Sequence, residues 1–144
     1  MLKNFASTIF LVDDDELSLT LYQQFLKQLG YTNIHLFYNG NDCLVGLDTL
    51  FPDIIFLDYN MEDLTGIEVL KQIRKFNPAI IVLFISGQED IDVAVNTMRQ
   101  GALDYMVKSS LTMDKMAKLM DRIESLSVQE TAGEKKSLLR RLFS

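Results

Sequence analysis

The sequence has little of what stiffens or cross-links a chain: two prolines, one cysteine, one histidine and no tryptophan among 144 residues. A lone Cys43 cannot close an internal disulfide, so a reducing, cytoplasmic setting is expected. A lone His35 cannot build a histidine metal centre. Positive charge is the scarcer sign, with 14 Lys and Arg against 20 Asp and Glu, a net charge of −6. That balance excludes broad binding to nucleic acid phosphates, which needs a basic face, and suits a protein that recruits a cation. No apolar run approaches the roughly 20 residues of a membrane span. The start, Met1-Leu2-Lys3-Asn4-Phe5, is not followed by the apolar region and small-residue cleavage site of a secretion signal.

What is present is an ordinary globular mixture, 48% hydrophobic and 24% charged, at a length expected for one domain. The stretch that organises it is Asp53-Ile54-Ile55-Phe56-Leu57-Asp58-Tyr59-Asn60. Four consecutive strand-favouring apolar residues read as a strand buried on both faces, and the run stops at a carboxylate. Three other apolar runs end in the same way. Thr8 to Val12 ends in Asp13-Asp14-Asp15, Ile80 to Ile85 in Ser86-Gly87, and Tyr105 to Val107 in Lys108-Ser109. In an open parallel sheet the carboxyl ends of the strands face one crevice, so these acids, the hydroxyl and the lysine would meet on one edge.

Helical patterns alternate with the strands. Ser18 to Leu29 carries Leu21, Tyr22, Phe25, Leu26 and Leu29 at helical spacing, closed by Gly30. Asn33 to Phe37 reads as an edge strand. Asn39-Gly40-Asn41-Asp42 opens a second helix that puts Cys43, Leu44 and Leu47 on one side and ends at Pro52. A third starts at Thr65-Gly66 with Ile67, Leu70 and Ile73 inward and stops before Asn77-Pro78. A fourth, about Glu89 to Arg99, is expected to turn Ile91, Ala94, Val95 and Met98 to the core. A fifth begins at Thr112, with Met113, Met116, Ala117, Met120 and Ile123 in register. Five strand–helix alternations of this length imply right-handed crossovers and a parallel sheet covered on both faces. Residues 5–127 are expected to make one domain, and 128–144 a linker and short basic amphipathic tail with no output domain.

Asp13, Asp14 and Asp58 in one crevice would repel one another unless a proton or a cation enters. An all-oxygen site of this kind suits Mg²⁺, and acids with magnesium point to phosphoryl chemistry. Lys108 would supply charge to oxygens that the metal leaves unneutralised, Ser86 a hydroxyl, and Asp58 the nucleophile. Singly, each has a blander reading: an acidic helix cap for Asp13, Asp14 and Asp15, a turn hydroxyl for Ser86, a surface lysine for Lys108. Only their convergence favours chemistry, and Asp15 is left as the cap.

Together these positions resemble the receiver domain of bacterial two-component response regulators over about Phe5 to Leu126. The resemblance implies a flavodoxin-like, doubly wound (βα)5 three-layer α/β sandwich with sheet order 2-1-3-4-5. It implies that Asp58 takes a phosphoryl group from a sensor histidine kinase or phosphotransfer protein. Mg²⁺ would be held by Asp13, Asp14, Asp58 and the backbone carbonyl of Asn60. Ser86 would then move toward the phosphoryl group and the switch aromatic, Tyr105, would turn inward. That would remodel the surface of the fourth helix, fifth strand and fifth helix for a downstream effector protein, with homodimerisation through that face a family habit. Such a module is a signalling phosphoacceptor that catalyses only its own phosphorylation and slow dephosphorylation, with no cofactor beyond the metal and no direct nucleic acid contact. Two positions depart from the family. Glu62 stands where it usually has proline, and Ser109 replaces a cis proline after Lys108; a cis bond at a non-proline costs roughly 3 kcal/mol, so a trans bond and an altered loop are expected there.

Rival functions are an interaction-only pseudo-receiver, a flavin carrier of the same topology and an aspartyl phosphatase. The five intact polar positions disfavour the first. Asp13-Asp14-Asp15 would repel a flavin phosphate. Asn60 stands where the phosphatase has its second acid.

Overall fold

The computed structural model describes residues 5–126. Phe5–Leu111 forms one compact unit, and a second holds, among the described residues, a helix over 113–126. In chain order the first unit contains β1 (Ile9–Val12), α1 (Glu16–Leu29), β2 (Ile34–Phe37), α2 (Gly40–Leu50), β3 (Ile54–Asp58), α3 (Gly66–Phe76), β4 (Ile81–Ser86), α4 (Ile91–Arg99) and β5 (Asp104–Val107). The helix over 113–126 is α5. The sheet order is β2-β1-β3-β4-β5 with every pair parallel, a flavodoxin-like topology.

All of β1 and β3, and β4 beyond Ile81, are buried, which is why they read as continuous apolar runs rather than alternating ones. Phe10, Val12, Ile55, Leu57, Val82 and Phe84 form one core face with Cys43 and Leu47 of α2 and Val69, Leu70 and Ile73 of α3. The intervening residues point the other way, toward the side where a right-handed crossover puts α1 with its buried Leu19, Tyr22 and Leu26. Each buried Ile, Leu or Phe stabilises the fold by about 1.5–3 kcal/mol. A one-residue slip would exchange the two faces, so the register, and with it the level at which each strand ends, is strongly specified.

The helix ends follow local chemistry. Asp15 caps α1 by accepting from the Leu17 N–H at 3.2 Å, as expected of it, and Gly30 closes the helix in the left-handed region at φ 109°. Asn39 caps α2, and Thr65 with Glu68 makes a reciprocal capping box on α3. Thr112 accepts from the Lys115 N–H at the start of α5, where Met116, Met120 and Ile123 are buried. As expected, β2 is an edge strand.

Two helix faces differ from expectation. On α1 the buried stripe is Leu19, Tyr22 and Leu26, while Leu21 is exposed. On α4, Ile91, Val95 and Met98 are 76%, 43% and 46% exposed, and the buried residue is Thr97. The apolar stripe of α4 is real, but it looks outward. The helix lies against β5, the last strand, which covers only a narrow strip, and Thr97 fits there because its hydroxyl donates to the Ala94 carbonyl at 2.9 Å. The tail assigned to 128–144 lies outside the described residues.

Gly66 sets how closely α3 approaches the end of β3. A Cβ there would lie 2.5 Å from a Phe84 ring carbon and 3.0 Å from the Asp58 carbonyl oxygen. Gly66→Ala is expected to cost about 1–3 kcal/mol through overpacking. Urea unfolding measures this; a wild-type midpoint would show that the contact is not tight.

Candidate functional site

Parallel register delivers the polar residues to one edge of the sheet. Val12 pairs with Leu57 and Asp58 with Ile85, so Asp13, Asp58 and Ser86 leave neighbouring strands at nearly the same level. Ser86 in turn pairs with Val107, immediately before Lys108. The four side chains thus arrive from four strands with no loop needed to aim them.

Asp13 and Asp58 are buried, 2% and 5% exposed, whereas Asp14 is exposed. One carboxylate oxygen from each of the three lies within 4.8 Å of the others. The Lys108 ammonium is 2.8 Å from Asp13 Oδ2 and 3.7 Å from Asp58 Oδ2. The Asp15 N–H donates to Asp13 Oδ1 at 2.9 Å, and the Asn60 N–H makes a long 3.4 Å bond to Asp58 Oδ1. Lys108 opens a short 3₁₀ turn, Lys108–Ser110, and no cis peptide bond occurs among the described residues, in line with a trans bond at Ser109.

Electrostatics follow from this crowding. Burial first, then the Asp13 charge, push the Asp58 carboxyl up from the ordinary 3.8 to about 7, with Lys108 and the Asn60 N–H pulling the other way. Burial acts to lower the Lys108 ammonium, but the Asp13 and Asp58 carboxylates outweigh it and raise the net value. Asp13 Oδ2 is buried and pairs with the Lys108 ammonium at 2.8 Å. Three carboxylates whose oxygens lie within 4.8 Å of one another, two of them sharing a single ammonium, are a donor set that fits a hard divalent cation.

Ser86 and Tyr105 join through one residue rather than through the acids. The Gln88 N–H donates to Ser86 Oγ at 3.3 Å, and the Tyr105 hydroxyl donates to the Gln88 carbonyl at 2.8 Å. Gln88 acts with its backbone, so its side-chain identity carried no signal. Asp63 was also missed: its carboxylate accepts from the Gly40 and Asn41 N–H groups at 3.1 and 2.8 Å. Asking what satisfies the free N–H groups at the start of α2 would have raised the question.

A carboxyl with a raised folded value favours the folded state below its unfolded value and loses that contribution as pH rises through the folded one. The stability of metal-free protein is therefore expected to fall between about pH 4 and pH 7. Asp58→Asn removes the effect. It should melt higher than wild type at pH 8, by on the order of 4 °C for each ~1 kcal/mol regained, with little difference at pH 4. Thermal melts across that range check this; parallel curves would exclude the raised carboxyl.

Comparison with known proteins points to one family. The model of the response regulator receiver domain matches residues 9–124. The transcriptional regulatory protein ZraR of Salmonella typhimurium is 33% identical over 126 residues, covering 88% of this chain and 28% of that protein. NtrX from Brucella abortus superposes with a TM-score of 0.83 at 26% identity, over 90% of this chain and 29% of that one. A CheY-like receiver domain protein from Methanospirillum hungatei gives 0.80 at 21% identity, over 87% and 98%, a likeness of fold. The chain thus spans under a third of ZraR and of NtrX, and what they share with it is the module whose strand ends have just been described. It belongs to the response regulator receiver domain family.

Proposed function

We propose that this domain is a phosphoacceptor switch in which Asp58 takes a phosphoryl group from the phosphohistidine of a sensor kinase or phosphotransfer protein. The observation that carries this reading is the Asp13–Lys108–Asp58 arrangement, with one ammonium shared between two buried carboxylates. An Asp58 oxygen forms the new bond to phosphorus as the phosphorus–nitrogen bond breaks, and the electron pair leaves with the imidazole. Asp13, Asp14, Asp58 and the Asn60 carbonyl would hold Mg²⁺, which supplies the positive charge that the acid cluster lacks and screens the incoming phosphoryl oxygens.

The chain's own groups do the rest. Lys108, already 3.7 Å from Asp58, is placed to meet a phosphoryl oxygen once Asp13 has another partner. Ser86 accepts from Gln88, so its hydroxyl proton stays free to donate to the phosphoryl group. A shift of Ser86 would pull on Gln88 and, through its carbonyl, on Tyr105. α4 begins just beyond and carries Ile91, Val95 and Met98 outward, an apolar surface that a downstream effector could read. The result is a signalling module that catalyses only its own phosphorylation and dephosphorylation, in a cytoplasmic setting. Among the described residues no helix is long and apolar enough to cross a membrane.

Incubation with acetyl phosphate and Mg²⁺ is expected to add the mass of one phosphoryl group, with no gain in Asp58→Ala or without the metal. Lys108→Ala should slow phosphorylation by roughly 100-fold, the usual cost of losing one charge-stabilising group. Intact-mass spectrometry over time reads both. Equal labelling of wild type and Asp58→Ala would remove the proposal and leave an interaction module.

A further inference from the structure

The loop between β3 and α3, residues 59–65, carries Asn60; Tyr59, Met61 and Leu64 pack against the core, but few hydrogen bonds hold the loop's polar groups. The Asn60 N–H bond to Asp58 is long, and Gly66 N–H to Tyr59 O at 2.9 Å only closes the loop's ends. Thr65 is engaged with α3, which it caps. Asp63 alone, among the described residues, hydrogen-bonds the loop to an element other than the two it connects.

That bond pair is bidentate, Oδ1 to the Gly40 N–H at 3.1 Å and Oδ2 to the Asn41 N–H at 2.8 Å. The charge also sits at the amino end of α2, where the helix dipole favours it. The approach is tight, since a Cβ on Gly40 would lie 2.7 Å from a Val69 methyl and 3.3 Å from Leu64 Cβ. Asp63 and Glu62 line the same cleft as Asp14, so the clamp stands beside the acid cluster rather than remote from it.

We propose that Asp63 is a positioning residue: by clamping the 59–65 loop to the start of α2, it keeps Asn60 presented to the cation held by Asp13, Asp14 and Asp58. This rests on the phosphoacceptor reading of the site. It differs from a charge effect, because Glu62 adds the same charge to the cleft but has no hydrogen bond among the described residues.

The test is Mg²⁺ binding to the full chain, followed by calorimetry or amide shifts, for wild type, Asp63→Ala, Asp63→Asn and Glu62→Gln. Asp63→Ala should weaken Mg²⁺ by about tenfold or more, the usual effect of removing a group that orients a metal ligand. Asp63→Asn keeps one accepting oxygen and should fall between. Glu62→Gln should stay near wild type. Hydrogen exchange at the Gly40 and Asn41 amides should quicken in Asp63→Ala while α3 core amides stay protected. The proposal is overturned if Asp63→Ala binds Mg²⁺ like wild type, or if Glu62→Gln and Asp63→Asn each lose as much as Asp63→Ala, which is what charge alone predicts. Should Asp63→Ala fail to fold, Asp63→Asn and Glu62→Gln decide by the same comparison. A wild type that binds no Mg²⁺ also overturns it. A wild type that binds Mg²⁺ but accepts no phosphoryl group, with the variant losses intact, removes the phosphoacceptor reading and leaves the clamp standing.

Discussion

Two carboxylates, Asp13 and Asp58, are buried within reach of one ammonium at the end of the sheet, and the rest of the molecule is arranged to hold them there. Burying like charges side by side is costly, and a single lysine shared between them cannot satisfy both. The cost is met by the core. β1, β3 and β4 are sandwiched between apolar faces, so neither acid can retreat to water without moving its strand out of register. The residual misfit surfaces as an Asp58 carboxyl pushed up to about 7 by burial and by the Asp13 charge. The arrival of positive charge relieves it.

That misfit also leaves the site responsive to a ligand. A well-satisfied ion pair would gain nothing from a new ligand, whereas a strained one responds to it. The path outward is short. Ser86 and Tyr105 contact opposite groups of the Gln88 backbone, a connection that uses no part of the Gln88 side chain. α4 follows directly and exposes a run of apolar side chains, an arrangement with no role in the core.

The strands, the acids and the lysine were legible because each rests on one strong signal: a fully buried strand reads as an unbroken apolar run, and a polar residue that ends it stands out; the strand order came only with the family resemblance. Helix faces were less so. Periodicity tells that Ile91, Val95 and Met98 share a side, not whether anything covers that side, and α4 beside the last strand has less to cover it than α2 or α3. On α1, Leu19 rather than Leu21 is buried because the stripe follows Tyr22 and Leu26 three and four residues apart. Gln88 and Asp63 escaped for another reason. Asp63 accepts from backbone N–H groups 22 and 23 residues away, and Gln88 bonds Ser86 and Tyr105 only through its own backbone; backbone N–H and C=O leave no mark in a sequence.

The two missing prolines sharpen this last point. Proline stiffens a loop in the unfolded chain as much as in the folded one, so its benefit does not depend on neighbours. Where Glu62 and Ser109 stand instead, the order has to come from bonds made only on folding. After Lys108 it comes from the 3₁₀ turn, closed by the Leu111 N–H on the Lys108 carbonyl at 3.2 Å. After Asn60 it comes from Met61 and Leu64 packed on the core and from the Asp63 carboxylate across the start of α2. Both loops adjoin the acid cluster, and in both the order rests on contacts with neighbouring groups rather than on a fixed backbone ring.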